Sequence, residues 1–165
     1  MAEGGQLETK SVLFTDLVGS TELGETVEMS ELGATLSDFE NIATETISEG
    51  GGRVVKLIGD EIMFTAPGAF EAASIAIDLA DAFDNHPTVP QVRAALASGG
   101  VMLRDGDVFG PVVNLASRAA KVARPGEVVT TGDVATDAAL PHMSVGHHHL
   151  NGIPGEVELF RLIRN

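Results

Sequence analysis

No cysteine occurs among the 165 residues, and no tryptophan or tyrosine either. The first absence excludes a disulfide scaffold, a thiolate metal site and a cysteine nucleophile. The second leaves seven phenylalanines as the only Phe, Trp or Tyr rings, little stacking surface for nucleic acid. Positive charge is scarce too: 10 Lys+Arg stand against 24 Asp+Glu, a formal net charge of −14. That balance argues against a nucleic-acid footprint or an anionic membrane surface as partner, since both attract cationic patches. A small anionic ligand would have to be neutralised locally, by metal ions or a few placed cations. Apolar runs such as residues 75–77 and 101–103 fall far short of the ~20 residues of a membrane span. Residues 1–10 lack both the basic and the apolar region of a secretory leader. What is present is ordinary globular composition, 44% hydrophobic and 21% charged, on a chain long enough to bury a full core. The expectation is a soluble, cytoplasmic, single-domain protein without membrane insertion.

Residues 10–15 predict a buried strand closed by Asp16, which leaves 1–9 as an N-terminal tail and 10–165 as the domain. Gly19-Ser20-Thr21-Glu22 has the form of a helix start, with Ser20 or Thr21 as N-cap. Leu32, Leu36, Phe39, Ala43 and Ile47 recur at intervals of three and four, a helix of about five turns. Gly50-Gly51-Gly52 stops it. Arg53–Ile58 and Glu61–Ala66 flank Gly59-Asp60, the signal of a hairpin with a type II′ turn. A second helix is expected over 69–83. Strands are expected at 92–98 and 101–103 around Gly99-Gly100, then a turn at Asp105-Gly106 and a helix over 112–122. Strands at 127–131, 144–149 and 157–163 follow, with a short helix near 133–139. The order β-α-β-β-α-β with additional elements predicts an α+β protein: a ferredoxin-like core, its antiparallel sheet carrying helices on one face, and extra C-terminal strands.

Several residues could carry chemistry on that frame. Asp16 ends the first strand and Asp60 lies in the hairpin turn. In a ferredoxin-like sheet these strand ends can be neighbours, and paired carboxylates suit a hard divalent cation completed by phosphate oxygens. The amides of Val18, Gly19, Ser20 and Thr21 could hold phosphate oxygens at a helix start. The plainer alternative is that Asp16 caps and Asp60 merely turns the chain. Lys56 interrupts an apolar strand, so it faces a cleft or protects a sheet edge from aggregation. Arg93 invites the same two readings. Asn114 and Arg118, four apart, share a helix face; an amide and a guanidinium there could orient a ribose and stabilise a phosphoryl group in flight, or form a solvated stripe. Of His147, His148 and His149, at most two could face one metal from a strand. Phe14 and Phe109 read as core or pocket wall. Neither a Gly-x-Ser-x-Gly elbow nor a Gly-x-x-x-x-Gly-Lys phosphate loop is present.

Three segments, taken in order, resemble the catalytic domain of class III nucleotidyl cyclases. They are Val12-Leu13-Phe14-Thr15-Asp16-Leu17-Val18-Gly19-Ser20-Thr21, then Lys56-Leu57-Ile58-Gly59-Asp60, then Asp107-Val108-Phe109-Gly110-Pro111-Val112-Val113-Asn114-Leu115-Ala116-Ser117-Arg118. The likeness extends from about residue 10 to 164. It implies cyclisation of a nucleoside triphosphate, the ribose 3′-oxygen attacking the α-phosphorus as pyrophosphate leaves. By this resemblance Asp16 and Asp60, helped by the Leu17 carbonyl, would hold two divalent cations, Mg²⁺ or Mn²⁺. Asn114 would orient the ribose, Arg118 would stabilise the transition state, and Arg93 would reach the terminal phosphates. Lys56 and Asp107, with Val108 beside them, would bind the base. A lysine donor and an aspartate acceptor complement adenine, whereas guanine reverses the pattern, so ATP is the expected substrate.

Many relatives carry a lysine that touches the triphosphate where this chain has Asn151, in Leu150-Asn151-Gly152. The resemblance further implies a head-to-tail homodimer with two equivalent sites, each drawing metal ligands from one protomer and base and transition-state contacts from the other. A nucleotide-binding regulatory module with weak or no turnover is the alternative that Asn151 leaves open. A guanylyl cyclase is the one that Lys56 disfavours.

Overall fold

The computed structural model describes residues 5–19, 24–25 and 27–164. The expected helix start at Ser20 and Thr21 lies outside them. The strands are β1 (Gln6–Leu17), β2 (Arg53–Ile58), β3 (Glu61–Ala66), β4 (Val92–Arg104), β5 (Asp107–Phe109), β6 (Val128–Thr131), β7 (His142–His148) and β8 (Val157–Leu162). They form one sheet in the order β2-β3-β1-β4-β6-β8-β7, with β5 paired to β4. The β4–β6 pair is parallel and the other pairs are antiparallel. The helices among the described residues are α1 (Met29–Glu49), α2 (Ala69–Asp84), α3 (Pro111–Ala120) and α4 (Gly132–Ala138). None is long and apolar enough to cross a membrane.

Side-chain alternation along the central strands splits the core into two layers. Leu13, Leu17 and Leu96 face Phe39 and Ile47 of α1, Leu79 and Phe83 of α2, and Val134 of α4. Val12, Phe14, Ala95 and Ala97 face Val112, Ala116 and Ala120 of α3. The expected βαββαβ core is present, and its two helices, α1 and α2, do share one face. That description does not extend to the whole protein. Helix α3, one of the additional elements, covers the opposite face, because central strands apolar on both sides need a second cover.

Gly59 in the β2–β3 turn has φ +63°, the left-handed value that the first position of a type II′ turn demands. Gly50 and Gly52 do more than end α1. A Cβ at either would fall within 3.0 Å of the Ile75 side chain, so their smallness lets α1 close onto α2.

Three expectations are corrected. Residues 6–9, assigned to a tail, are paired with β4, Gln6 opposite Leu103 and Thr9 opposite Gly100. Gly99-Gly100 does not divide two strands: β4 runs unbroken because the extended β1 pairs along its whole length. Gly99 lies against Val112 of α3, where a Cβ would make ordinary contact at 3.5 Å, and the tight approach between the two segments is at Gly110. Gly110, at φ +148°, would bring a Cβ to 3.1 Å from the Gly100 carbonyl oxygen. Finally, Asp105 (φ +53°) and Gly106 (φ +80°) make the expected turn, but it leads into a short strand, β5, that the pattern did not announce.

Candidate active site

Asp16 lies near the end of β1, opposite Glu61 of β3 on one side and Arg93 of β4 on the other. The Leu17 N–H donates to the Asp60 carbonyl at 3.2 Å, which ties the end of β1 to the β2–β3 turn. Asp16, Leu17 and Asp60 are therefore brought together. Asp16 is only 5% exposed, and a carboxylate that deep needs charged partners. It has two. Arg93 Nε donates to Oδ1 at 2.9 Å, and Lys121 Nζ donates to Oδ2 at 3.2 Å. Lys121 also stands 3.8 Å from Glu61 Oε2. Burial holds the Glu61 carboxyl above its ordinary pKa; Lys121 pulls it down, and the nearby Asp16 and Asp60 charges push it up. Three carboxylates thus crowd one end of the sheet against two cations.

Two residues expected at phosphates have protein partners in this structure. Arg93, expected to reach terminal phosphates, is spent on Asp16, with its NH1 on the Lys121 carbonyl at 3.4 Å. Asp16 faces it across the β1–β4 ladder and is the nearest buried charge. The Val18 amide, expected to hold phosphate, donates to the Gln91 carbonyl at 2.9 Å, because the chain there is still tied to the residues leading into β4. Gly19 follows in a turn at φ +76°; Ser20 and Thr21 lie outside the described residues.

A second group of residues surrounds a cleft of about 590 Å³, lined by Lys56, Val108, Phe109, Asn114, Gly152 and Ile153 among others. Lys56 Nζ donates to Asp107 Oδ2 at 3.0 Å, and Asp107 Oδ1 accepts the Val108 N–H at 2.7 Å. That backbone bond, ahead of the lysine, holds the Asp107 carboxyl below its ordinary pKa against the opposing effect of partial burial. Lys56 lies on an edge strand, β2, and lines the cleft, with a register shift between Val54 and Lys56. Phe109 is a half-exposed wall, while Phe14 belongs to the core. Arg118, one turn beyond Asn114, is exposed, and its side chain has no hydrogen-bond or ion-pair partner among the described residues. The Leu150-Asn151-Gly152 run reaches the cleft through Gly152.

The two groups are separate within the chain, for neither Asp16 nor Asp60 lines the cleft. Lys121 and Glu61 were missed by sequence reasoning. The available signal was position: Lys121 is one helical turn past Arg118, at the C-cap of α3.

The first group fits a hard divalent cation by its donors, two carboxylates and a backbone carbonyl, all oxygen. No group of three or more His, Cys, Asp or Glu converges to hold a metal among the described residues, so phosphate and water oxygens would complete the shell, as is common for Mg²⁺. The late histidines do not converge: His148 bonds the Val145 carbonyl, His149 bonds the Gly155 carbonyl, and His147 lies 3.9 Å from Glu158.

A family model described as the adenylate and guanylate cyclase catalytic domain matches residues 3–163. The chain belongs to this cyclase family. It is 42% identical over 113 residues to an adenylate cyclase of Streptomyces coelicolor, covering 68% of this chain and 30% of that protein. It is 35% identical over 161 residues to a pH-sensitive adenylate cyclase of Mycobacterium tuberculosis, covering 93% of this chain and 40% of that one. The chain thus spans well under half the length of either relative. In fold it matches the adenylyl cyclase CyaB from P. aeruginosa, with a TM-score of 0.86 at 20% identity over 97% of both chains. It also matches the catalytic core of a rhodopsin-guanylyl cyclase with converted specificity in complex with ATPalphaS, with a TM-score of 0.89 at 20% identity, covering 96% of this chain and 98% of that one.

Proposed function

We propose that this cyclase domain converts ATP to 3′,5′-cyclic AMP and pyrophosphate. The observation that carries the reading is the Lys56–Asp107 pair at the cleft. It presents one donor and one acceptor 3.0 Å apart, the complement of adenine N1 and its 6-amino group. Lys56 donates to the ring nitrogen and Asp107 accepts from the amine. Guanine would set its own N1 donor against the lysine and its carbonyl against the aspartate, leaving polar groups unpaired.

Asn114, on the cleft wall, orients the ribose. Arg118 stabilises the charge that develops as the 3′-oxygen bonds the α-phosphorus, the 3′-hydroxyl proton departs, and the α–β phosphoanhydride bond breaks to release pyrophosphate. Asp16, Asp60 and the Leu17 carbonyl would hold two Mg²⁺ or Mn²⁺ ions, which lower the pKa of the 3′-hydroxyl and neutralise the triphosphate when bound.

The active assembly is a head-to-tail homodimer with two shared sites. Three features support it. Among the described residues the cleft lacks Asp16 and Asp60 and exposed Arg118 has no hydrogen-bond or ion-pair partner, and Leu57 and Ile58 leave the β2 edge apolar at 46% and 47% exposure. Arg93 contacts the terminal phosphates only by releasing Asp16. Asn151, in place of a lysine, lowers affinity for the triphosphate. This is the one feature that favours a binding module with slow turnover.

The test of base recognition is the double variant Lys56→Glu with Asp107→Cys. It should lower activity on ATP and raise the GTP:ATP ratio of initial rates by about tenfold or more, the scale of one mispaired buried polar contact. An unchanged ratio would show that these side chains do not read the base.

A further inference from the structure

We propose that Lys121 is the resting counter-ion of the metal-binding carboxylate. Its ammonium sits at Asp16 Oδ2 and competes with a divalent cation for that carboxylate. This rests on the reading of Asp16 as a metal ligand. Each oxygen of Asp16 already accepts from a cation, at 2.9 Å and 3.2 Å, so one acceptor site on each is taken and a metal ion approaching either meets a positive charge beside it.

The two cations are unequally held. Arg93 is fixed opposite Asp16 on the β1–β4 ladder, is 27% exposed and has a second bond to the Lys121 carbonyl. Lys121 reaches in from the C-cap of α3 with a side chain 56% exposed. Its partners are Asp16 and, at 3.8 Å, Glu61. A compact point charge on a flexible stem, placed between two carboxylates, does electrostatically what a metal ion does there, and it is the one able to leave. It offsets the repulsion among Asp16, Asp60 and Glu61 that otherwise destabilises a metal-free site. The same contact works against metal entry, so stability of the resting protein and metal affinity are opposed through one side chain.

The test is titration of Mn²⁺ into the nucleotide-free full chain by calorimetry, with thermal midpoints measured alongside, for wild type, Lys121→Gln and Asp16→Asn. Lys121→Gln should bind Mn²⁺ roughly three- to tenfold more tightly, since a charge pair with one buried partner exceeds a purely exposed pair. Its metal-free midpoint should fall, and its Mn²⁺-induced rise in midpoint should exceed that of wild type. Asp16→Asn should lose the binding. Equal or weaker Mn²⁺ affinity in Lys121→Gln, with binding still lost in Asp16→Asn, would overturn the role of Lys121 and leave the ligand reading standing. Wild-type affinity in Asp16→Asn would overturn the ligand reading, and this inference with it. No Mn²⁺ binding to Lys121→Gln at millimolar metal would also overturn it.

Discussion

Asp60→Ala is expected to abolish cyclic-nucleotide formation, by about a thousandfold or more, while the protein still folds. The magnitude follows from losing a ligand to ions that supply several kcal/mol of transition-state stabilisation. The fold should survive because the bond tying the turn to β1 uses the Asp60 carbonyl, which accepts the Leu17 N–H at 3.2 Å, and alanine keeps that carbonyl. Gly59 retains its φ of +63°, so the turn itself is unaffected. The Asp60 charge also pushes up the neighbouring Glu61 carboxyl, so removing it relieves repulsion. The metal-free thermal midpoint should therefore hold or rise. Initial rates with ATP and Mn²⁺, beside circular-dichroism melts, check both halves of the statement. Activity within a few-fold of wild type would take Asp60 out of the mechanism.

Mixing two dead variants should restore activity. Asp16→Ala lacks a metal ligand, and Arg118→Ala lacks the transition-state arginine. Alone, each homodimer carries its lesion in both sites and should be nearly inactive. In a mixed dimer one site combines both lesions, while the other takes its carboxylates and its arginine from undamaged halves. With equal amounts and random exchange, half the dimers are mixed and each has one good site of two. Activity should therefore recover to about a quarter of wild type. The geometry behind this is the separation of Asp16 and Asp60 from the cleft that Asn114 lines. If exchange is demonstrated by labelled subunits and activity does not return, both residues serve one site from one chain, and the shared-site reading fails.

What was legible in the sequence was local. The spacing from Leu32 to Ile47 announced α1, and Gly59-Asp60 announced the hairpin, because periodicity and turn chemistry act within one window. Asp16 and Asp60 were found together because a strand end and a turn are marked in the sequence, and topology supplied the rest. What was missed depends on residues far apart. Gly99-Gly100 reads as a break until β1 is seen pairing across it. The Lys121–Asp16 bond spans 105 positions and Arg93–Asp16 spans 77; a cation at a helix end or strand start looks solvated until the partner strand is placed. The acceptor of the Val18 amide was invisible for the same reason, since it belongs to Gln91.

The most direct test of the account is to incubate the wild-type chain with equal ATP and GTP plus Mn²⁺ and identify the products by chromatography and mass. The account predicts 3′,5′-cyclic AMP and pyrophosphate in equal amounts, with cyclic AMP exceeding cyclic GMP by about tenfold or more, on the scale of one unpaired buried polar group. No cyclic nucleotide at high protein concentration, or cyclic GMP as the main product, would contradict it.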